Sequence, residues 1–205
     1  MSPGGTVYVI DDDEAVRESL TTLLETSGFS VIAHASAGAF LDDLDTATSG
    51  CVLTDVHMPQ ISGLELLRRL SDRLPRFPVI VLTGEADVPM AVEALKNGAL
   101  DLIEKPYSGA AIVAAVRQAL TQLEVRASRT SRRSETAERI AGLSAREREV
   151  LEGVLKGESN KEIARALGIS PRTVEAYRAN LMMKMGAESL SELVRMALEA
   201  RGGED

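Results

Sequence analysis

Five short apolar runs dominate the first 124 residues: TVYVI (6–10), SVIAH (30–34), CVLT (51–54), PVIVL (78–82) and LDLI (100–103). Between them the apolar residues recur at helical spacing, as in Val16, Leu20, Leu23 and Leu24, in Leu64, Leu67 and Leu70, and in Val88, Val92 and Leu95. Short runs this apolar suit strands covered on both faces, and regular alternation of strand with helix makes those strands parallel. Right-handed crossovers then give a doubly wound α/β domain, for which the flavodoxin-like strand order 2-1-3-4-5 is expected. In such sheets ligands bind beyond the carboxyl ends of the strands.

Those ends carry polar residues in sequence order. The first run leads straight into Asp11, Asp12 and Asp13; the third ends at Asp55, the fourth at Thr83 and the fifth at Lys105, followed by Pro106. The second run offers only His34 and Ser36, which fits an edge strand. Three adjacent carboxylates repel one another and raise each other's pKa unless a cation or water takes up the charge. The bland account of the triplet is helix capping and dipole pairing, and Asp13 is expected to be a cap. A phosphatase-type Asp-x-Asp pair, Asp11 with Asp13, calls for a Thr shortly afterwards, which DDDEAV lacks. A dinucleotide site calls for a glycine-rich first turn, also missing. Cys51, within an apolar run, reads as a small core residue.

Charge separates the halves of the chain. Residues 1–124 hold 18 acidic and 8 basic side chains, whereas 125–205 hold 13 and 15, so a total of -8 conceals an acidic half and a slightly basic one with different partners. At 205 residues and 44% hydrophobic content, the chain can form two modest cores. Its one cysteine excludes an intrachain disulfide, MSPGGT lacks a signal-peptide pattern, and no run nears the ~18 apolar residues of a membrane span, so a soluble cytoplasmic protein is expected.

Residues 125–142 are rich in Arg, Ser and Ala and read as a linker, expected to extend the preceding helix in part; Arg126, Arg129, Arg132 and Arg133 could touch DNA, but a solvated basic face is the expected account. From 143 to 205 the periodicity is wholly helical. Ser144 with Glu147 makes a capping-box pattern, Ser159 or Asn160 opens a second helix closed by Gly168, Ser170 and Pro171 open a third, and SLSELVRMALEARGG forms a fourth. The three-residue turn Gly168-Ile169-Ser170 marks a helix-turn-helix unit. Val174, Tyr177 and Leu181 share the inward face of its second helix, leaving Arg172, Glu175, Ala176 and Ala179 outward.

Together VIDDDEAVRESL, LTDVHMPQISGLELL and VIVLTGEADVPMAVEALKNGALDLIEKP resemble the receiver domain of two-component response regulators. NKEIARALGISPRTVEAYRANLMMKM resembles the LuxR/NarL-type DNA-binding domain, and with SLSELVRMAL the whole chain resembles FixJ-type regulators. The resemblance implies that Asp55 accepts a phosphoryl group from a phosphohistidine on a sensor kinase, with Thr83 and Lys105 as switch and charge-neutralising groups. It implies Mg²⁺ or Mn²⁺ held by Asp11, Asp12, Asp55 and the backbone carbonyl of His57, an oxygen set suited to a hard cation. It implies no enzyme proper beyond weak loss of its own phosphoryl group, homodimerisation through the fourth helix and fifth strand, and binding of promoter DNA. Arg172, Glu175, Ala176 and Ala179 would face the major groove, and Lys161, Ser170, Thr173, Arg178 and Lys184 would serve as further DNA contacts, mainly to phosphates. RNA polymerase is a further partner under this resemblance. Two alternatives remain: a regulator that works without phosphorylation, and a helix-turn-helix that docks chiefly on polymerase. Three positions depart from the family pattern. Leu102 stands where many receivers have Tyr or Phe, His57 where Arg or another polar residue is frequent, and Glu175 where several relatives carry a basic residue.

Overall fold

A computed structural model describes residues 4–84 and 88–202. The GEADVP stretch used above lies partly outside them, at Glu85, Ala86 and Asp87. Contacts divide the chain into two compact units, 1–126 and 127–205.

In the first unit, β1 (Thr6–Ile10), β2 (Ser30–His34), β3 (Gly50–Asp55), β4 (Val79–Thr83) and β5 (Asp101–Glu104) form one parallel sheet in the order 2-1-3-4-5. The connecting helices are α1 (Glu14–Thr26), α2 (Ala37–Asp43), α3 (Gly63–Arg69) and α4 (Val88–Lys96), and α5 starts at Gly109. The alternation of side chains along each strand sorts two cores. Tyr8, Ile10, Val52, Val79 and Val81 point to the side packed with Phe40, Leu66, Leu67 and Ala94; Val7, Val9, Cys51, Leu53, Ile80 and Leu82 face Leu20, Leu24, Ile112 and Val116. Full burial of each such side chain is worth roughly 1.5–3 kcal/mol, which is why the sheet is the rigid member. Cys51 is one of these residues, and burial pushes its thiol up to about 12, so it is inert.

The connection between units is more ordered than a partly helical linker. Helix α5 runs without interruption over Gly109–Ala141, 33 residues. Nothing in 125–141 breaks a helix, since the stretch holds no Pro or Gly. Residues 124–130 are all exposed, whereas Thr136 is buried and Ile140 packs on the core of the second unit.

That unit adds α6 (Ala145–Leu155), α7 (Asn160–Leu167), α8 (Pro171–Met185) and α9 (Leu190–Arg201) around Leu143, Val150, Leu151, Ile163, Val174, Leu181, Met185 and Leu193. Both α6 and α7 begin with reciprocal capping boxes, Ser144 with Glu147 and Ser159 with Glu162. Gly168 leaves α7 in the left-handed region (φ 67°), and Ser170 caps α8 by accepting the Thr173 N–H. Val174 and Leu181 are buried and Tyr177 is half-buried against the core, the inward face expected from their spacing.

Candidate functional site

The acidic rim is assembled by register. In β1 and β3, Ile10 pairs with Thr54, so Asp11 and Asp55 emerge side by side one residue later. Asp13 is the N-cap of α1 and accepts the Ala15 and Val16 N–H groups. That leaves Asp11 and Asp12 for the site, and suitable oxygens of Asp11, Asp12 and Asp55 lie within 4.8 Å of one another. Lys105 crosses from the end of β5, its Nζ 3.2 Å from Asp55 Oδ2 and 3.5 Å from Asp11 Oδ2. Asp55 Oδ1 accepts the Val56 N–H at 2.8 Å, which fixes the carboxylate and leaves Oδ2 toward the rim. Thr83, fully buried at the end of β4, places its hydroxyl 3.5 Å from Met90 Sδ.

Among the described residues charge is unbalanced here: three carboxylates face one ammonium. Burial raises the Asp11 pKa above the ordinary range, with Asp55 adding to the effect and the Asp13 N–H and Lys105 opposing it. Burial alone would depress the Lys105 ammonium, but Asp11 and Asp55 outweigh it and its pKa is raised. A hard dication fits this donor set: it accepts carboxylate oxygens, offsets their repulsion and tolerates an open site completed by water. His57, two residues after Asp55, is exposed.

Two residues missed in the sequence support this rim. Arg17 turns back from α1 so that its Nη1 donates to the carbonyls of Asp11 (2.9 Å) and Asp12 (3.3 Å), holding both peptide units from behind. Gly63 opens α3 against β3, with its N–H on the Val56 carbonyl, and an added methyl would overlap the Asp55 carbonyl oxygen. Gly63→Ala should therefore displace the backbone that carries Asp55, costing about 1–3 kcal/mol. Urea unfolding of the variant measures that loss; stability equal to wild type would show that α3 can retreat freely.

In the second unit, Arg172, Thr173, Glu175, Ala176 and Ala179 are exposed on α8, and Lys161 is exposed at the start of α7. Ser170 is occupied as the cap, its hydroxyl also 2.8 Å from that of Thr173. The other two basic residues are held by protein partners. Arg178 donates to Asn160 Oδ1 at 2.6 Å, which ties α8 to the start of α7. Lys184 Nζ is 2.7 Å from Glu147 Oε2, and it stands about 18 Å along the helix from Arg172. Glu147, buried in the capping box of α6, carries a pKa lowered to about 2, first by Lys184 and then by the Ser144 N–H. Arg139, from the end of α5, donates to the Met185 carbonyl at 2.7 Å and so caps the carboxyl end of α8. These clamps join residues 18 to 46 positions apart, and no periodicity marks them.

The Glu147 contact has a pH consequence. Because its folded-state pKa is depressed, its contribution is complete above the ordinary glutamate pKa and disappears as pH falls from about 4.5 towards 2. Glu147→Gln should lower the melting temperature at neutral pH and flatten the acid limb of stability over that window. Thermal melts between pH 2 and 7 test it, and parallel acid limbs for both proteins would refute the clamp.

Residues 7–117 match the model of the response regulator receiver domain, and residues 141–197 that of bacterial regulatory proteins of the luxR family. The chain is 59% identical to the transcriptional regulatory protein FixJ of Azorhizobium caulinodans, over 95% of this chain and 92% of that one. It is 50% identical to FixJ of Bradyrhizobium diazoefficiens over 98% of both, and 41% identical to the response regulator protein TodT of Pseudomonas putida over 93% of this chain and 84% of the other. Among solved structures it is similar to full-length FixJ from B. japonicum (TM-score 0.60, 50% identity, 97% and 98% coverage) and to the response regulator StyR (TM-score 0.79, 35% identity, 95% and 98% coverage).

Proposed function

The chain belongs to the response-regulator family, as a receiver joined to a LuxR-type DNA-binding domain that regulates transcription, and from this we propose that Asp55 is its phosphoacceptor and that the Asp55 phosphoryl group governs DNA binding. The observation that carries the proposal is the Asp55 carboxylate at the end of β3, 3.2 Å from Lys105 and grouped with Asp11 and Asp12. Functional limits of 1–124 for the receiver, 125–142 for the connection and 143–205 for the DNA-binding domain are part of the same reading.

An Asp55 oxygen attacks the phosphorus of a phosphohistidine on the sensor kinase. The new O–P bond forms as the P–N bond breaks, and the departing imidazole keeps the electron pair. There is little for the protein to do covalently, so positioning and charge carry the step. Lys105 stands beside the charge that develops, and the Thr83 hydroxyl donates to a phosphoryl oxygen. Asp11, Asp12, Asp55 and the His57 carbonyl would hold Mg²⁺ or Mn²⁺, which supplies positive charge against both the carboxylates and the phosphoryl oxygens. Slow hydrolysis of the acyl phosphate resets the protein without making it an enzyme.

Helix α4 presents Val88, Val92 and Leu95, exposed at 76%, 43% and 56%, in one stripe at i, i+4 and i+7. This stripe suits a homodimer formed through α4 and β5 on phosphorylation, which brings two α8 helices to neighbouring half-sites. On each, Arg172, Glu175, Ala176 and Ala179 face base edges, while Lys161 and Thr173 hold phosphates. Ser170 serves through its cap, and Arg178 and Lys184 hold phosphates with N–H donors beyond those given to Asn160 and Glu147.

The test is binding of a promoter duplex, in the absence of polymerase, by chain treated with acetyl phosphate and Mg²⁺. Treatment should tighten binding and shift the chain to a dimer in wild type only, with a linear dependence on the logarithm of salt. Duplex binding unaffected by treatment would favour a regulator that works without phosphorylation. Failure to bind any duplex would favour docking on polymerase.

A further inference from the structure

Within the second unit, a cleft of about 510 Å³ lies between the latter part of α5 and α9, lined by Arg129, Arg132, Arg133, Arg195, Glu199 and Gly202. Its size is that of a small-molecule site. Three of its arginines share one face of α5, at spacings of three and four, where like charges disfavour the helix. Among the described residues none of these three guanidiniums meets a carboxylate. Glu135, three positions beyond Arg132, hydrogen-bonds Ser131 instead, at 3.2 Å. Across the cleft, Arg195 is paired with Glu199 at 3.6 Å and Glu192 at 3.9 Å. A solvated basic face needs no concavity, and an ordinary helix surface places carboxylates beside such arginines.

We propose that this cleft binds a phosphate-bearing anion, held by Arg129, Arg132 and Arg133 with Arg195 at its far wall. Guanidinium groups match phosphate oxygens with paired, parallel N–H donors, and several converging on one hollow select a polyphosphate over a single carboxylate. The phosphates can belong to a small ligand of the pyrophosphate or nucleotide type, or to the DNA backbone. Either occupant would sit on the helix whose Arg139 caps the carboxyl end of α8, and so on a support of the recognition helix.

The test uses the full, unphosphorylated chain in metal-free buffer, so that it does not depend on Asp55 chemistry. Calorimetric titration with inorganic pyrophosphate should show one site, weakened about tenfold or more by the pair Arg129→Gln and Arg132→Gln and unchanged by Lys156→Gln at the C-cap of α6. Both replaced residues are exposed, so the fold should be kept, which circular dichroism checks. Unchanged duplex binding by the double variant would assign the site to a small polyphosphate. Weaker duplex binding with a smaller salt slope, together with displacement of duplex by pyrophosphate, would assign it to DNA. Absence of pyrophosphate binding, or pyrophosphate binding unchanged in the double variant, overturns the proposal whatever the duplex result. So does pyrophosphate binding that emerges only after Glu204→Gln and Asp205→Asn, because the cleft would then belong to the chain's own acidic tail.

Discussion

Asp55→Asn should reduce the phosphoryl adduct formed with acetyl phosphate and Mg²⁺ to background, while the circular dichroism spectrum and melting curve keep their shape. The amide has the shape of the carboxylate and can still accept the Val56 N–H through its oxygen, so β3 and its register with β1 and β4 are undisturbed. What is lost is the charge that makes the oxygen a nucleophile. Lys105 also loses its nearer partner, leaving Asp11 at 3.5 Å, so the variant should differ locally in the lysine and not in the core. Intact-mass spectrometry decides the matter. A full adduct on the variant would move the acceptor to another side chain and with it the whole proposed mechanism.

Joint replacement of Asp11 and Asp12 by Asn should have two effects of opposite sign. Altering a group that merely supports a metal ligand costs roughly 10–100-fold in affinity, so neutralising two direct carboxylate ligands should cost about 100-fold or more in Mg²⁺ binding. In metal-free buffer the same variant should melt higher. The raised pKa of Asp11 means that the folded state disfavours its charge, so ionised Asp11 detracts from stability at neutral pH and a neutral side chain relieves that loss. Loss of the Lys105 contact works against the gain, but Lys105 keeps Asp55. Titration with Mg²⁺ and melts with and without metal separate these effects. Unchanged affinity would return Asp11 and Asp12 to local structure, as Asp13 already is.

The two predictions rest on residues that the sequence places well. A parallel sheet requires its strand ends to share one rim, so the order of Asp11, Asp55, Thr83 and Lys105 in the chain was enough to bring them together on paper. The caps were equally legible, since an N-cap acts within three residues: Asp13, Ser144, Ser159 and Ser170 each hold the backbone just ahead of them. The inward face of α8 follows from the period of 3.6, which is a local rule as well, whereas the strand order was expected from the doubly wound topology that alternating strands and helices imply.

Other features depend on which distant residues the fold brings into contact. Lys184 and Arg178 read as phosphate contacts, and the fold gives each a protein partner as well, Glu147 and Asn160, 37 and 18 positions away. Arg17 could be taken for an ordinary helix arginine until α1 packs back over the loop that it holds. The connection at 125–141 carries no breaker and no stripe, so its pattern alone left open how far α5 continues; packed turns at both its ends, Ile112 and Val116 in one core and Ile140 in another, support it from outside. Local chemistry thus determined the elements and the acidic rim of this protein, while long-range side-chain pairing, which leaves no periodic trace in a sequence, decided which basic groups hold α8 to α5, α6 and α7.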